Sequence, residues 1–216
     1  MKGNTQIPRS GARRIAAVLA AAVLLGGCSR PDYPQYQLNP APKDALEVMI
    51  KLNNAPAGLD ASEAYASYRI VNQTCLPKVT NLQGVQPAPK THTVRTPLRK
   101  VDESTYEFTV YLDQMALRDY YGRGECRWEF SHAGSAPSLA NAPNRVYFPI
   151  SGGLAGMQGA GGETYFYAID TTSPGFDGHP YVSAGLIKDA FDTIPAERRA
   201  QSFSMTILSS KEGVSQ

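Results

Sequence analysis

The stretch Cys126-Arg127-Trp128-Glu129-Phe130 decides the fold class of this chain. Its apolar and charged residues alternate one by one. Successive side chains of a β-strand point to opposite faces of the sheet, so the alternation predicts a half-buried strand. Cys126 and Trp128 then share the inward face. A cysteine and a tryptophan side by side on that face indicate that this strand lies against a packed core.

The same alternation recurs in other parts of the sequence. Gly, Pro and Asn are frequent between the alternating segments, and such residues mark turns and loops. Helical periodicity is brief, at about 113–120 and 185–201. The pattern predicts a mainly β fold, an antiparallel β-sandwich with one or two short helices. Besides the strand at Cys126, the predicted strands are 46–52, 66–71, 106–112, 146–150, 163–170 and 202–209.

The segment 1–27 has the features of a bacterial signal peptide. Three arginines precede an apolar run at 15–25, which is too short to span a bilayer but has the length of a signal-peptide core. The full chain has 21 basic and 19 acidic side chains, and the segment contains four of the basic ones and no acid. Its removal leaves 17 basic against 19 acidic side chains. Without a basic surplus, a nucleic-acid partner is not expected.

Residues 25–28, Leu-Gly-Gly-Cys, resemble the lipobox of bacterial lipoproteins. The resemblance implies that Cys28 is lipidated and becomes the first residue of the mature protein. It also implies several acyl chains, palmitate among them, which would hold the protein permanently on a membrane. In that family Ser29 favours the outer membrane, so the expected location is the cell envelope, with the domain facing the periplasm. An ordinary signal peptide with an unmodified Cys28 is the alternative.

A tether is expected between the lipid and the domain. Segment 29–43 contains four prolines and few aliphatic residues. Proline cannot donate a backbone hydrogen bond, and proline-rich linkers are semi-extended. The sequence therefore predicts a signal peptide at 1–27, a lipidated cysteine and tether at 28–44, and a β-sandwich domain at 45–216.

Cys75 and Cys126 remain once Cys28 is lipidated. In an oxidising compartment such a pair predicts a disulfide, with buried free thiols as the alternative. A metal site is not expected, because the sequence has no C-x-x-C motif and its histidines lie far from both cysteines. A buried tryptophan beside a disulfide resembles the core of immunoglobulin-like domains. Because Trp128 follows the second cysteine here, the resemblance implies the sandwich architecture alone.

Familiar catalytic motifs are absent, including G-x-S-x-G, H-E-x-x-H, S-x-x-K and the P-loop. We therefore expect neither enzymatic activity nor a cofactor. The glycine-rich stretch 152–162 lacks the lysine of a phosphate-binding loop and is predicted to connect strands. Segment Asp170–His179 offers carboxylates and an imidazole for Ca²⁺ or proton transfer, but its Pro-Gly and Asp-Gly pairs favour a turn. The cations Arg95, Arg99 and Lys100 indicate a solvated sheet edge.

The segment 120–128 is the best candidate for a binding surface. Tyr120, Tyr121, Arg123 and Arg127 lie close together beside Cys126, and Tyr and Arg are enriched at the energetic centres of protein interfaces. We expect these four residues to contact a partner. The alternative is a packed corner with Tyr121 inside and Arg123 in solvent.

The expected envelope location and the absence of familiar catalytic motifs favour a non-catalytic binding function. A small tethered sandwich loosely resembles periplasmic immunity or inhibitor lipoproteins, although no diagnostic motif of that family is present. The resemblance implies a protein partner, such as a toxin or hydrolase that acts in the envelope. One alternative is an accessory structural lipoprotein of a secretion or envelope-assembly machine. Another is a glycan-binding or hydrolytic domain that uses the Asp170–His179 segment.

Overall fold

Strands dominate the part of the chain that the computed structural model describes. By its internal contacts the chain divides into Met1–Pro34 and Gln35–Gln216, and the described residues belong almost entirely to the second unit. Within them, no helix combines the length and the apolar character that crossing a bilayer requires. The described ranges are 34–78, 90–139, 145–169 and 181–209.

The described residues form thirteen strands, three short α-helices and one turn of 3-10 helix at Gln73–Cys75. The helices are α1 (Leu154–Gln158), α2 (Lys188–Asp192) and α3 (Ala196–Arg199). The strands are β1 (Ala45–Asn53), β2 (Leu59–Asp60), β3 (Glu63–Ile70), β4 (Thr91–Pro97), β5 (Arg99–Lys100), β6 (Thr105–Tyr111), β7 (Trp128–Ser135), β8 (Ser138–Leu139), β9 (Val146–Tyr147), β10 (Ile150–Gly152), β11 (Glu163–Ala168), β12 (Tyr181–Val182) and β13 (Ser202–Ser209).

These strands make three sheets. Their orders are β11-β13-β1-β6-β5, β10-β7-β3-β4 and β12-β9-β8-β2. Neighbouring strands are antiparallel except β9 and β12, which are parallel. Burial follows the predicted alternation: in β1, Leu46, Val48 and Ile50 are buried, whereas Glu47 and Lys51 are exposed. The mainly β, antiparallel fold class is therefore confirmed.

The two larger sheets bury their apolar faces in one shared hydrophobic core. Ile50, Phe108 and Ile207 of the first sheet belong to the same buried cluster as Tyr68 and Ala133 of the second. Such burial is the main source of stability in a domain of this kind. In the small third sheet, β9 lies within the predicted strand 146–150. The strands β2, β8 and β12 were not predicted, because strands of two residues are too short to show a period.

The predicted helix at about 113–120 is wrong. That segment instead forms isolated β-bridges, between Met115 and Leu38 and between Arg118 and Cys126. Pairing with distant parts of the chain overrides a weak local periodicity. The helical signal at 185–201 corresponds to α2 and α3. The stretch 152–162 is partly helical, since it contains α1, which buries Met157.

β4 is missing from the sequence prediction because it has one aliphatic residue, Val94, among its inward positions. It is the last strand of its sheet, as β5 is of the first. Arg95 of β4 forms an ion pair with Glu63 at 2.6 Å, and Arg99 of β5 forms one with Glu107. These exposed pairs agree with the expectation of a solvated edge.

The compact unit begins at Gln35 rather than at Ala45. In the segment 35–44, Asn39 donates its backbone N–H to Gln114 and Ala116 donates its own to Gln37, at 2.8 and 3.0 Å. This part of the expected tether therefore lies against the segment that follows β6. It contributes directly to the candidate site.

Candidate functional site: an aromatic corner beside the disulfide

The disulfide links Cys75 and Cys126 and confirms the predicted pairing. Their Cα atoms are 5.3 Å apart, and both side chains are buried with Ile70 and Leu76 in a small hydrophobic cluster. Asn72 adds polar links beside it. Its side-chain amide donates to the Glu125 carbonyl, and its side-chain oxygen accepts the backbone N–H of Arg127, both at 2.7 Å. The chain that leads into β7 is therefore held covalently and by hydrogen bonds.

Five rings meet next to this cluster, and we call them the aromatic corner: Tyr36, His92, Tyr120, Tyr121 and Trp128. The ring of Tyr36 is central. Its centroid lies 4.7 Å from that of Trp128, 5.1 Å from Tyr120 and 5.7 Å from His92, each with the rings edge to face. Edge-to-face pairs contribute about 0.5–1.5 kcal/mol each beyond the burial of their area. The corner is thus assembled from the N-terminal segment, β4 and the chain around the disulfide.

The tyrosine hydroxyls of the corner are bonded inside the protein. The Tyr36 and Tyr121 hydroxyls lie 2.6 Å apart, and the Tyr120 hydroxyl donates to the Ala116 carbonyl at 2.9 Å. Burial, with a smaller effect from Tyr121, raises the pKa of Tyr36 well above its usual range. Burial likewise lowers the pKa of His92. These directions keep the Tyr36 and His92 rings uncharged at neutral pH, which suits packing and contact better than proton transfer.

A groove of about 640 Å³ opens beside the corner. Trp128 lines it together with Met115, Leu117 and Arg118. Among the described residues, the indole N–H of Trp128 is a buried polar group without a hydrogen-bond partner. A buried donor left unbonded costs about 1–3 kcal/mol. The groove is therefore lined by both apolar and polar residues, and one of them, Trp128, carries the unsatisfied donor.

The loop 119–125 has a fixed shape. The Asp119 carboxylate accepts the backbone N–H groups of Arg123, Gly124 and Tyr121 at 2.9, 3.0 and 3.2 Å. These bonds, above all those from Arg123 and Gly124, hold the pKa of Asp119 below its ordinary value. Gly122 and Gly124 have φ angles of 67° and 92°, a left-handed conformation that glycine adopts without strain. The side chain of Arg123 is thereby presented to solvent on an ordered loop.

Asp113 holds the N-terminal segment onto the domain. Its carboxylate accepts the backbone N–H of Lys43 at 3.0 Å through one oxygen and the backbone N–H of Asp44 at 3.0 Å through the other. Asn39 donates its side-chain amide to the Asp113 carbonyl, also at 3.0 Å. Burial would raise the pKa of Asp113, but the bonds from Lys43 and Asp44 outweigh it and place the pKa below its ordinary value.

Acid should release segment 35–44 from the corner. A carboxyl group whose pKa is lower in the folded state stabilises that state above its unfolded pKa, and the contribution is lost as the pH falls through the folded pKa. We therefore expect release below about pH 4, the ordinary range for Asp. Asp113→Ala should release the segment already at pH 7. When the segment is released, the Tyr36 ring moves away from the indole of Trp128, and the fluorescence emission of Trp128 should shift. Trp128 is the single tryptophan of the chain.

Asp102 offers a matched control for this prediction. It is also an aspartate whose pKa is lowered by a backbone N–H, that of Ser104, but it is exposed and lies in the turn before β6. Asp102→Ala should leave the emission of Trp128 unchanged at pH 7. Equal emission from wild type and Asp113→Ala at pH 7 would show that Asp113 does not hold the segment.

The four residues predicted to bind a partner do lie together, but they form two pairs that differ in burial and bonding. Tyr120 and Tyr121 are half-buried and bonded within the corner, whereas Arg123 and Arg127 are exposed. The sequence prediction missed Tyr36 altogether. The available signal was the presence of two tyrosines, Tyr33 and Tyr36, within the proline-rich segment.

Two other predicted sites cannot be located in the fold. Cys28 and the segment Asp170–His179 both lie outside the described residues. Elsewhere, in the ranges that the structure covers, no three His, Cys, Asp or Glu side chains are grouped so as to hold a metal ion.

Fold and site together define a mainly β domain with a disulfide-linked aromatic corner. No family model matches the sequence, and neither a curated protein nor a solved structure matches the chain.

Proposed function

We propose that this chain is a lipid-anchored lipoprotein of the bacterial envelope whose domain binds another protein without catalysis. The observation that carries the proposal is the pair of exposed leucines at the aromatic corner. Leu38 and Leu117 are 46% and 54% exposed, on neighbouring chain segments joined by the bridge between Leu38 and Met115. Exposed apolar groups beside a groove are typical of protein interaction sites.

Rigidity supports the same proposal. The disulfide, the Asn72 bonds and the Asp119 bonds fix the chain on either side of the corner. A surface that is ordered before binding loses less conformational entropy when a partner arrives. The corner therefore needs little rearrangement to act as an interface.

The charges around the corner favour an acidic partner surface. Arg118, Arg123 and Arg127 are exposed. Among the described residues, none of the three has a carboxylate within ion-pair distance. The carboxylate of Asp119 is already engaged by backbone N–H groups. Complementary charge of this kind speeds association and sets orientation.

Within this class we favour an immunity or inhibitor protein that neutralises a toxin or hydrolase acting in the envelope. An enzyme that cleaves or modifies envelope polymers is a partner that a tethered, non-catalytic domain can block by covering its surface. An accessory role in a secretion or assembly machine is the alternative. The identity of the captured partner separates the two.

Capture from a periplasmic extract tests the proposal. The full-length protein is immobilised in detergent, and the double variant Leu117→Asp/Arg118→Glu is compared with wild type. We expect the variant to lose the captured protein by at least about tenfold, which corresponds to about 1.4 kcal/mol. Its free energy of unfolding should change by no more than about 0.5 kcal/mol, because both side chains are exposed.

Ile187 provides the matched control. It is 57% exposed, close to the value for Leu117, but it precedes α2 at a different place in the fold. Ile187→Asp should retain capture. Equal capture by wild type and by the Leu117→Asp/Arg118→Glu variant would exclude the corner as the interface.

A further inference from the structure

A second groove, of about 460 Å³, lies where the small sheet meets the sheet β10-β7-β3-β4. It is lined by different residues from those of the aromatic corner. The short connection between β2 and β3 brings the outer surfaces of the two sheets together there. Each sheet contributes one row of polar and aromatic side chains.

The first row crosses the small sheet. Asp60 of β2 lies opposite Ser138 of β8, and Ser138 lies opposite Tyr147 of β9. The adjacent residues of the same strands point into the core, since they are buried. Alternation therefore places Asp60, Ser138 and Tyr147 on the outer face, and all three line the groove. One carboxylate oxygen of Asp60 also accepts the hydroxyl of the buried Tyr106 at 3.1 Å, which fixes the position of this carboxylate. The buried neighbours are Leu59, Leu139 and Val146.

The second row comes from β3 and β4. Tyr65 lies directly opposite Arg95, and the Arg95 guanidinium donates to the Glu63 carboxylate at 2.6 Å. Ala64 and Ala66 are buried, which places Glu63 and Tyr65 on the outer face. Facing strands thus present a tyrosine ring, a guanidinium and a carboxylate to the same space.

The chemistry of the groove selects a polar but uncharged ligand. Asp60 and Glu63 balance Arg95 and Arg145 in formal charge, so neither an anion nor a cation is favoured overall. Carboxylates and guanidinium groups form directional, charge-assisted hydrogen bonds with hydroxyl groups. A purely apolar ligand would leave these groups unsatisfied, at a cost.

The tyrosines supply the apolar part of such a site. Tyr65 and Tyr147 are half-buried, and each ring offers an apolar face with a hydroxyl at its end. The Arg145 guanidinium donates to the Tyr147 hydroxyl at 3.4 Å, which holds that residue at the rim. The volume falls within the range of about 300–1,000 Å³ that is typical of small-ligand sites.

We propose that this groove binds a neutral oligosaccharide. Sugar rings present C–H faces that pack on Tyr65 and Tyr147 and hydroxyl groups that bond to Asp60, Glu63 and Arg95. The site is separate from the aromatic corner and does not depend on the function proposed for it. A protein that holds a glycan in one groove and a partner at the corner would bring the two together.

Calorimetric titration of the full-length protein in a sugar-free detergent tests the proposal. The probes are hexamers of glucose, mannose and N-acetylglucosamine, with a uronic-acid hexamer as the charged comparison. We expect at least one neutral hexamer to bind and the uronic-acid hexamer to bind at least tenfold more weakly. Binding of none of the neutral hexamers, or tighter binding of the uronic-acid hexamer, would overturn the proposal.

Variants locate the binding in the groove. Arg95→Ala and Tyr147→Ala should each weaken the neutral hexamer at least tenfold. Arg69→Ala is the matched control, because Arg69 is also an exposed arginine of the same sheet that is paired with a glutamate, Glu129, and it does not line the groove. Unchanged affinity in Arg95→Ala and Tyr147→Ala, or an equal loss in Arg69→Ala, would place the binding elsewhere. Leu117→Asp/Arg118→Glu should bind the hexamer normally, which separates this test from that of the corner.

Discussion

The double variant Cys75→Ala/Cys126→Ala should have a free energy of unfolding about 2–5 kcal/mol lower than that of the wild type. The disulfide closes a loop with a sequence separation of 51, and the loss of chain entropy for such a loop is about 4 kcal/mol in the unfolded state. Both sulfur atoms also belong to the buried cluster with Ile70 and Leu76. Removing the link therefore loosens the unfolded chain and leaves a gap in the folded one.

Urea unfolding followed by circular dichroism measures this loss. Reduction of the wild type with a thiol separates the two effects, because it breaks the link and keeps both sulfur atoms in place. We expect reduction to account for most of the change, with a smaller further loss in the double variant. An unfolding midpoint within error of wild type in both experiments would show that the link contributes little.

Cys28→Ser should abolish stable membrane attachment through acyl chains. Each buried methylene contributes about 0.8 kcal/mol, so several chains make attachment effectively permanent. Serine cannot form the thioether that carries the lipid. The variant should be released from membranes or remain unprocessed at its N-terminus.

Mass spectrometry and membrane fractionation check this outcome. Wild type should have the mass of a protein that begins at Cys28 with acyl chains added, and the variant should lack that added mass. Cys75→Ala/Cys126→Ala is the control, since it lacks both other cysteines and should stay in the membrane fraction. An unchanged mass and an unchanged membrane fraction in Cys28→Ser would refute lipidation.

Strong local signals explain the successful parts of the sequence prediction. The alternation around Trp128 and Phe130 follows directly from the pleat of a strand. Beyond the bulge that shifts the β3–β7 register between Ser67 and Tyr68, the residues of β7 that face the buried side of β3 are Ala133 and Ser135, so the simple alternation ends there. The disulfide was predictable because few cysteines were available to pair. Strands β1, β6 and β13 were predictable for the same reason as β7, since each buries one apolar face.

The remaining parts depend on contacts between residues far apart in sequence. The segment after β6 has a weak helical pattern, but Met115 pairs with Leu38 across a separation that no local pattern reveals. Tyr36 joins the corner for the same reason, because its partners Tyr121 and Trp128 lie far along the chain. The second groove is built from residues of five strands, and two of them, β2 and β8, are too short to show a periodic signal.

The contacts of segment 35–44 also determine which part of the domain first resists a pulling force applied at the N-terminal end. A pull on the N-terminal end of this segment first meets the contact between Tyr36 and Trp128 and the hydroxyl pair with Tyr121. The backbone bonds that join Gln37 and Asn39 to Ala116 and Gln114 come next, followed by the bonds of Lys43 and Asp44 to Asp113. These contacts yield one after another, as in peeling, so the segment should detach at a lower force than β1, which is bonded to strands on both sides. We therefore expect the segment to extend under tension before the sheet does.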